Sequence, residues 1–183
     1  MLTNTLCPSV HITSLTTLLI LTITVVFIVE LALGFDSSKT VLEVNYDTLT
    51  LMGINDSHKV YKGQVYRLVV AQFLHVNMLH LISNALILLL LVSRLEYTFG
   101  KLRVLIVYIL SGIAGCIFSD LLYTGQMLKA GSSTSLYGMI GLSIGYIIVN
   151  WPSFRRIGFI FKFKIIFIVV LLGAFLLLFS DVA

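Results

Sequence analysis

Met78-Leu-His-Leu-Ile-Ser-Asn-Ala-Leu-Ile-Leu-Leu-Leu-Leu-Val-Ser-Arg-Leu95 is the stretch on which the fold turns. It is apolar almost throughout, yet His80 and Asn84 stand one helical turn apart on one face. An α-helix needs about 20 mostly apolar residues to cross the hydrocarbon of a bilayer, and residues 78–95 read as such a span. Outward from it, segments 12–33, 102–123, 132–150 and 163–180 meet the same criterion. A long loop, 34–77, separates the first span from the second. The expected fold is all-α, a polytopic transmembrane helical bundle with residues 1–183 forming a single membrane domain. The first span has too long an apolar stretch for a signal peptide, and no Lys or Arg precedes it. It reads as a retained span, although Ala32-Leu33-Gly34 leaves cleavage open.

Composition agrees. Of the 183 residues 58% are hydrophobic and only 11% charged, against about a quarter charged in soluble domains. With a mean hydropathy of +1.05, a chain this short cannot enclose its apolar surface in water. The surplus must face lipid. A net charge of +4 does not point to nucleic acid, because the basic residues gather at the borders of the spans. Cys7 and Cys116 do not make a disulfide framework and read as reduced thiols. No His/Cys/carboxylate cluster has metal-ligand spacing, and the glycines lie within spans and form no phosphate-binding loop. No metal or cofactor is therefore expected.

Lys and Arg placement sets the orientation. The 2–3 and 4–5 connections carry Arg94, Lys101, Arg103, Arg155, Arg156, Lys162 and Lys164, whereas the opposite short loop offers only Lys129. The N-terminus is then cytosolic and loop 34–77 faces the lumen or exterior. Asn55-Asp56-Ser57, a glycosylation sequon in that loop, fits this orientation.

Polar side chains within a span cost free energy unless they pair or face a cavity. With this topology His80 and Asn84 lie at the outer end of the second span. Gly131-Ser132-Ser133-Thr134-Ser135 opens the fourth span at the same end. A lone serine in a membrane helix usually bonds the carbonyl one turn back or helps helices pack. A serine cluster level with a His/Asn pair on a neighbouring helix points instead to a site. Gly112 and Gly115 in the third span, and Gly138, Gly141 and Gly145 in the fourth, read as small-residue rows that let helices approach closely. Tyr137 lies one turn after Ser133, either a support for a catalytic partner or a plain packing aromatic.

From about residue 60 to its end the sequence resembles the rhomboid family of intramembrane serine proteases. Tyr66-Arg67 stands where that family has Trp-Arg, and His75 with His80-Leu-Ile-Ser-Asn84 is similar to its His-x-x-x-Asn motif. Glu96-Tyr-Thr-Phe-Gly100 resembles its Glu-x-x-x-Gly segment, and Gly131-Ser-Ser133-Thr134 its Gly-x-Ser-Gly motif, with Tyr137 and Gly141 matching downstream. The resemblance implies that Ser133 is the nucleophile of a Ser-His dyad, activated by a neighbouring base. It also implies that the Ser133 N–H, His80 and Asn84 form an oxyanion hole, and that Gly131, Tyr137, His75, Arg67 and Glu96 are supporting. The implied substrates are single-pass transmembrane proteins met in the lipid bilayer.

The sequence departs from the family in two places. Thr134 replaces the glycine after the nucleophile, adding β-branched bulk beside the oxyanion hole. The family's catalytic histidine lies on a sixth span, and the chain stops at Ser180-Asp181-Val182-Ala183 as the fifth span ends. The general base is thus expected beyond the chain, and this stretch alone is expected to be inactive. Gly138, Gly141 and Gly145 are then left facing lipid. The alternative is a catalytically inactive, derlin-like protein that binds membrane clients. A transporter or channel is disfavoured for want of paired intramembrane charges, since Glu30 and Asp120 are expected at span ends within reach of water.

Overall fold

The computed structural model describes residues 11–36, 42–122, 129–156 and 170. Three helices are long and apolar enough to cross a membrane: α1 (Leu15–Leu33), the second span (Met78–Phe99) and a third helix (Lys101–Leu122). Between the first two lie a two-residue antiparallel ladder, β1 (Phe35–Asp36) with β2 (Glu43–Val44), and short helices α2 (Tyr46–Met52), α3 (Ser57–Tyr61) and α4 (Arg67–Val70). The second span, α5, is continuous through a wider turn at Leu88–Val92. Then come α6 (Lys101–Leu122), α7 (Ser133–Val149) and α8 (Trp151–Arg156). Apart from Val170, the expected span at 163–180 lies outside the described residues.

α1 begins where Ser14 accepts a hydrogen bond from the Thr17 N–H, satisfying one of the donors a helix leaves free at its start. α5 begins likewise at Asn77, whose side chain accepts from the His80 N–H at 2.8 Å. At 17 residues α7 is about 26 Å long, shorter than the other spans.

Ile23 and Phe27 of α1, Ile87, Leu88 and Val92 of α5, Val104 and Tyr108 of α6, and Leu136 and Met139 of α7 form one buried core. Leu18, Val25 and Ile28 on α1 and Leu110 and Phe118 on α6 face outward. This continuous apolar exterior suits lipid rather than water.

The loop between α1 and α5 is folded back onto the bundle. Val44 N–H donates to the Val76 carbonyl at 2.8 Å, and Met78 N–H to that of Leu42 at 3.1 Å. This corrects two expectations about the polar span ends. Glu30 is fully buried, its carboxylate accepting from the His75 N–H at 3.2 and 3.3 Å. Asp120 pairs with Lys129 at 2.7 Å and accepts from Asn55 Nδ2 at 3.0 Å. Loop groups, not water, satisfy both carboxylates. The same packing leaves Asn55 fully buried, so its sequon is not presented as a surface acceptor.

Candidate active site

Ser133 is the first residue of α7 and is half-buried. The segment before it is held from several sides. Asn55 and Lys129 exchange backbone hydrogen bonds at 3.1 and 3.1 Å, the Gly131 N–H donates to the Ala71 carbonyl at 2.9 Å, and the Ser132 hydroxyl donates to that of Gln72 at 2.8 Å. As at any helix start, the first N–H groups of α7 lack partners within the helix and present a partial positive charge.

His80 lies against this segment. A Cβ on Gly131 would sit 2.5 Å from His80 Cε1 and 2.7 Å from Nε2, so the imidazole occupies the space a side chain would need. Gly131 also has φ +112°, a backbone state that favours glycine. One turn below His80, the fully buried Asn84 donates from Nδ2 to the His80 carbonyl at 2.9 Å. His80 Nε2 and Asn84 Oδ1 are buried and have no hydrogen-bond partner among the described residues. Buried polar atoms are nearly always paired, so an orphan beside this helix start, with a second one turn below it on α5, marks a place built for another group.

His75 stacks edge-on against His80, ring centres 5.3 Å apart, with Nδ1 against the Phe73 carbonyl at 3.2 Å. Burial, helped by the neighbouring His80 and opposed by that carbonyl, pushes the His75 pKa down to about 3. The ring is neutral at physiological pH. Among the described residues no imidazole hydrogen-bonds to the Ser133 hydroxyl.

From the sequence, Thr134 is expected to add bulk beside the oxyanion hole. Its side chain lies over Gly115 of α6, 3.1 Å from where a Cβ there would be, and the missing side chain on α6 absorbs the β-branched bulk. Gly138 likewise meets Ser111 of α6, whereas among the described residues Gly141 and Gly145 have nothing within 4 Å. The glycine row is therefore packed at its first member and open at the other two.

The family model of the Rhomboid domain matches residues 62–183, taking in every motif around Ser133, His80 and Asn84. The chain belongs to the rhomboid family. It is 29% identical over 151 residues to Rhomboid-like protease 2 of Toxoplasma gondii, covering 82% of this chain and 53% of that protein. It is 32% identical over 143 residues to RHOMBOID-like protein 7 of Arabidopsis thaliana, covering 76% of this chain and 45% of that protein. Rhomboid-like protease 1 of Toxoplasma gondii is 32% identical over 108 residues, or 59% of this chain and 37% of that protein. The chain thus spans about half the length of the first two of these relatives. As a rhomboid it is an integral membrane protein with an all-α helical bundle.

The remaining rhomboid motif residues hold the bundle together away from Ser133. Arg67 is buried, donating from Nη1 to the Thr50 and Ile54 carbonyls at 3.1 and 3.0 Å and from Nε to Gln64 at 2.8 Å. It gathers α2, α4 and the turn between them. At the opposite end of the bundle Glu96 accepts from the Leu15 and Thr16 N–H groups at 2.8 and 2.9 Å and from the Thr16 hydroxyl at 2.9 Å. Its charge sits on the positive start of α1. Tyr137 is 37% exposed on the face of Ser133. Sequence reasoning missed Gln72, a fully buried amide beneath the Ser133 segment. Its signal was a lone amide within the otherwise apolar Leu68-Val-Val-Ala-Gln-Phe-Leu74.

Proposed function

We propose that this protein is an intramembrane serine-type endopeptidase that cleaves transmembrane segments of single-pass membrane proteins. Ser133 Oγ attacks the scissile carbonyl and gives its proton to a base. The tetrahedral oxyanion is held by the Ser133 N–H, His80 Nε2–H and the second N–H of the Asn84 amide. Its collapse expels the protonated amine and leaves an acyl-enzyme, which water then hydrolyses. Donors fixed in a dry site typically contribute about 10²–10³-fold each. The base in this proposal is a histidine from a further helix, for which Gly141 and Gly145, with nothing within 4 Å among the described residues, leave room.

One observation carries this reading: the His80 ring fills the space over Gly131, two residues before Ser133, with its Nε2 buried and unpartnered among the described residues. In the proposed orientation the N-terminus is cytosolic and Ser133 faces the lumen or exterior. Supporting it, loop residue Asn55 meets Lys129 at the end where α7 begins. Lys101 reaches the Thr13 carbonyl, at 2.6 Å, at the other end.

In proteoliposomes holding the complete gene product and a model single-pass substrate, Ser133→Ala is expected to abolish cleavage while leaving the fold intact. Undiminished cleavage by that variant would end the proposal. A native protein that captures the substrate but never cleaves it is instead the derlin-like client binder.

A further inference from the structure

Directly beneath Ser133 lies a buried polar cluster that the chemistry above does not use. At its centre is Gln72, which is fully buried. Its Nε2 donates to the Leu68 carbonyl at 2.9 Å, one turn back. Its Oε1 accepts from the Ser135 hydroxyl at 2.8 Å, and its backbone carbonyl accepts from the Ser132 hydroxyl at 2.8 Å. The residue before it, Ala71, takes the Gly131 N–H. The Tyr108 hydroxyl lies beside those of Ser132 and Ser135 but outside hydrogen-bonding geometry to either.

α6 makes room for this amide. A Cβ at Gly112 would collide with the Gln72 carboxamide and with Ser135 Oγ. A side chain of similar volume without polar atoms would fill the space equally well, so filling alone does not call for an amide. What the amide adds is direction. It reaches α7 at Ser135, while the Gln72 backbone carbonyl takes the Ser132 hydroxyl, so the residue as a whole holds α7 on both sides of Ser133 in the sequence. A helix held at two points one turn apart can neither rotate nor slide. A one-residue slip would turn α7 by about 100° and carry Ser133 away from His80.

We infer that Gln72 is a positioning residue, whose amide, bonded to Ser135, completes with the backbone hold on Ser132 the two-point grip that fixes the rotation and depth of α7 and thereby the place of Ser133. The inference rests on Ser133 being the nucleophile. Gln72 makes no contact with substrate and acts only through α7.

The test uses the complete gene product in proteoliposomes and reads kcat and KM per folded molecule, together with hydrogen exchange of the 131–136 amides. Gln72→Met keeps the volume and removes the bond to Ser135. It is expected to lower kcat by about 10–100-fold, the usual cost of a small misplacement, with KM unchanged and faster exchange at 131–136. Gln72→Met with Ser135→Ala removes both partners and leaves no orphaned hydroxyl, so stability recovers. Positioning predicts that kcat stays low in this double variant, which also carries the test if Gln72→Met alone does not fold. Recovery of kcat along with stability, or native kcat in Gln72→Met, would overturn the inference. Ser133→Ala run alongside separates the two ideas, because cleavage that survives it removes the nucleophile itself, whatever Gln72 does.

Discussion

His75 is an ionisable ring in a place where a charge cannot be hydrated. The titratable groups facing it are His80, across the ring contact, and Glu30, which takes its backbone N–H. Its pKa of about 3 lies below the ordinary histidine value of 6.5, so between these two the unfolded chain binds a proton that the folded chain refuses. Stability from this group is complete above pH 6.5 and is lost as pH falls toward 3. The loss is at most about 1.4 kcal/mol per pH unit. Thermal unfolding in detergent from pH 7 to pH 4 is expected to show a falling Tm, with a shallower slope in His75→Gln. Identical slopes in the two proteins would show that the ring ionises freely in the folded state.

α5 and α7 approach at Gly131, and two glycines separate the causes of that approach. Gly131 and Gly63 both have left-handed backbones, φ +112° and +96°, but among the described residues Gly131 meets the His80 ring whereas Gly63 has nothing within 4 Å. Gly63→Ala is expected to cost only backbone strain, about 1–3 kcal/mol. Gly131→Ala is expected to cost that strain and also to drive His80 from its place, so cleavage per folded molecule falls sharply in it alone. Equal activity in the two variants would mean that the His80 contact is not what matters at Gly131. The helices themselves were legible because a membrane span is written locally, as about 20 apolar residues in a row. The His80/Asn84 pair and the glycines were legible from helical spacing for the same reason. The partners were not. Glu96 caps a helix 80 residues earlier in the chain, and Gln72 bonds a serine 63 residues later. No local pattern encodes such pairings, and Thr134 looked obstructive only because the gap opposite it is a glycine on another helix.

The whole bundle has two distinct ends, and a buried polar lock closes the one that holds the candidate site. Asn55, Asp120 and Lys129 come from the first loop, the end of α6 and the approach to α7, so this lock joins three parts of the chain at one point. The sequon reading took Asn55 for a surface acceptor, because a three-residue motif says nothing about what folds over it. An N-glycan must be attached through Asn55 Nδ2, which here is buried and donates to both Asp120 oxygens, at 3.0 and 3.2 Å. A sugar on that atom would break both bonds and could not be enclosed, so glycosylation and this fold exclude one another. In microsomes or secretory cells the folded protein is therefore expected to show no endoglycosidase-sensitive mobility shift. Asp120→Ala frees the amide and leaves Lys129 without its counter-charge, so the loop loosens and a glycosidase-sensitive fraction appears. A glycan on Asn55 of folded native protein would mean that the loop does not pack on α6 as described, and the placement of the segment leading to Ser133 would fail with it.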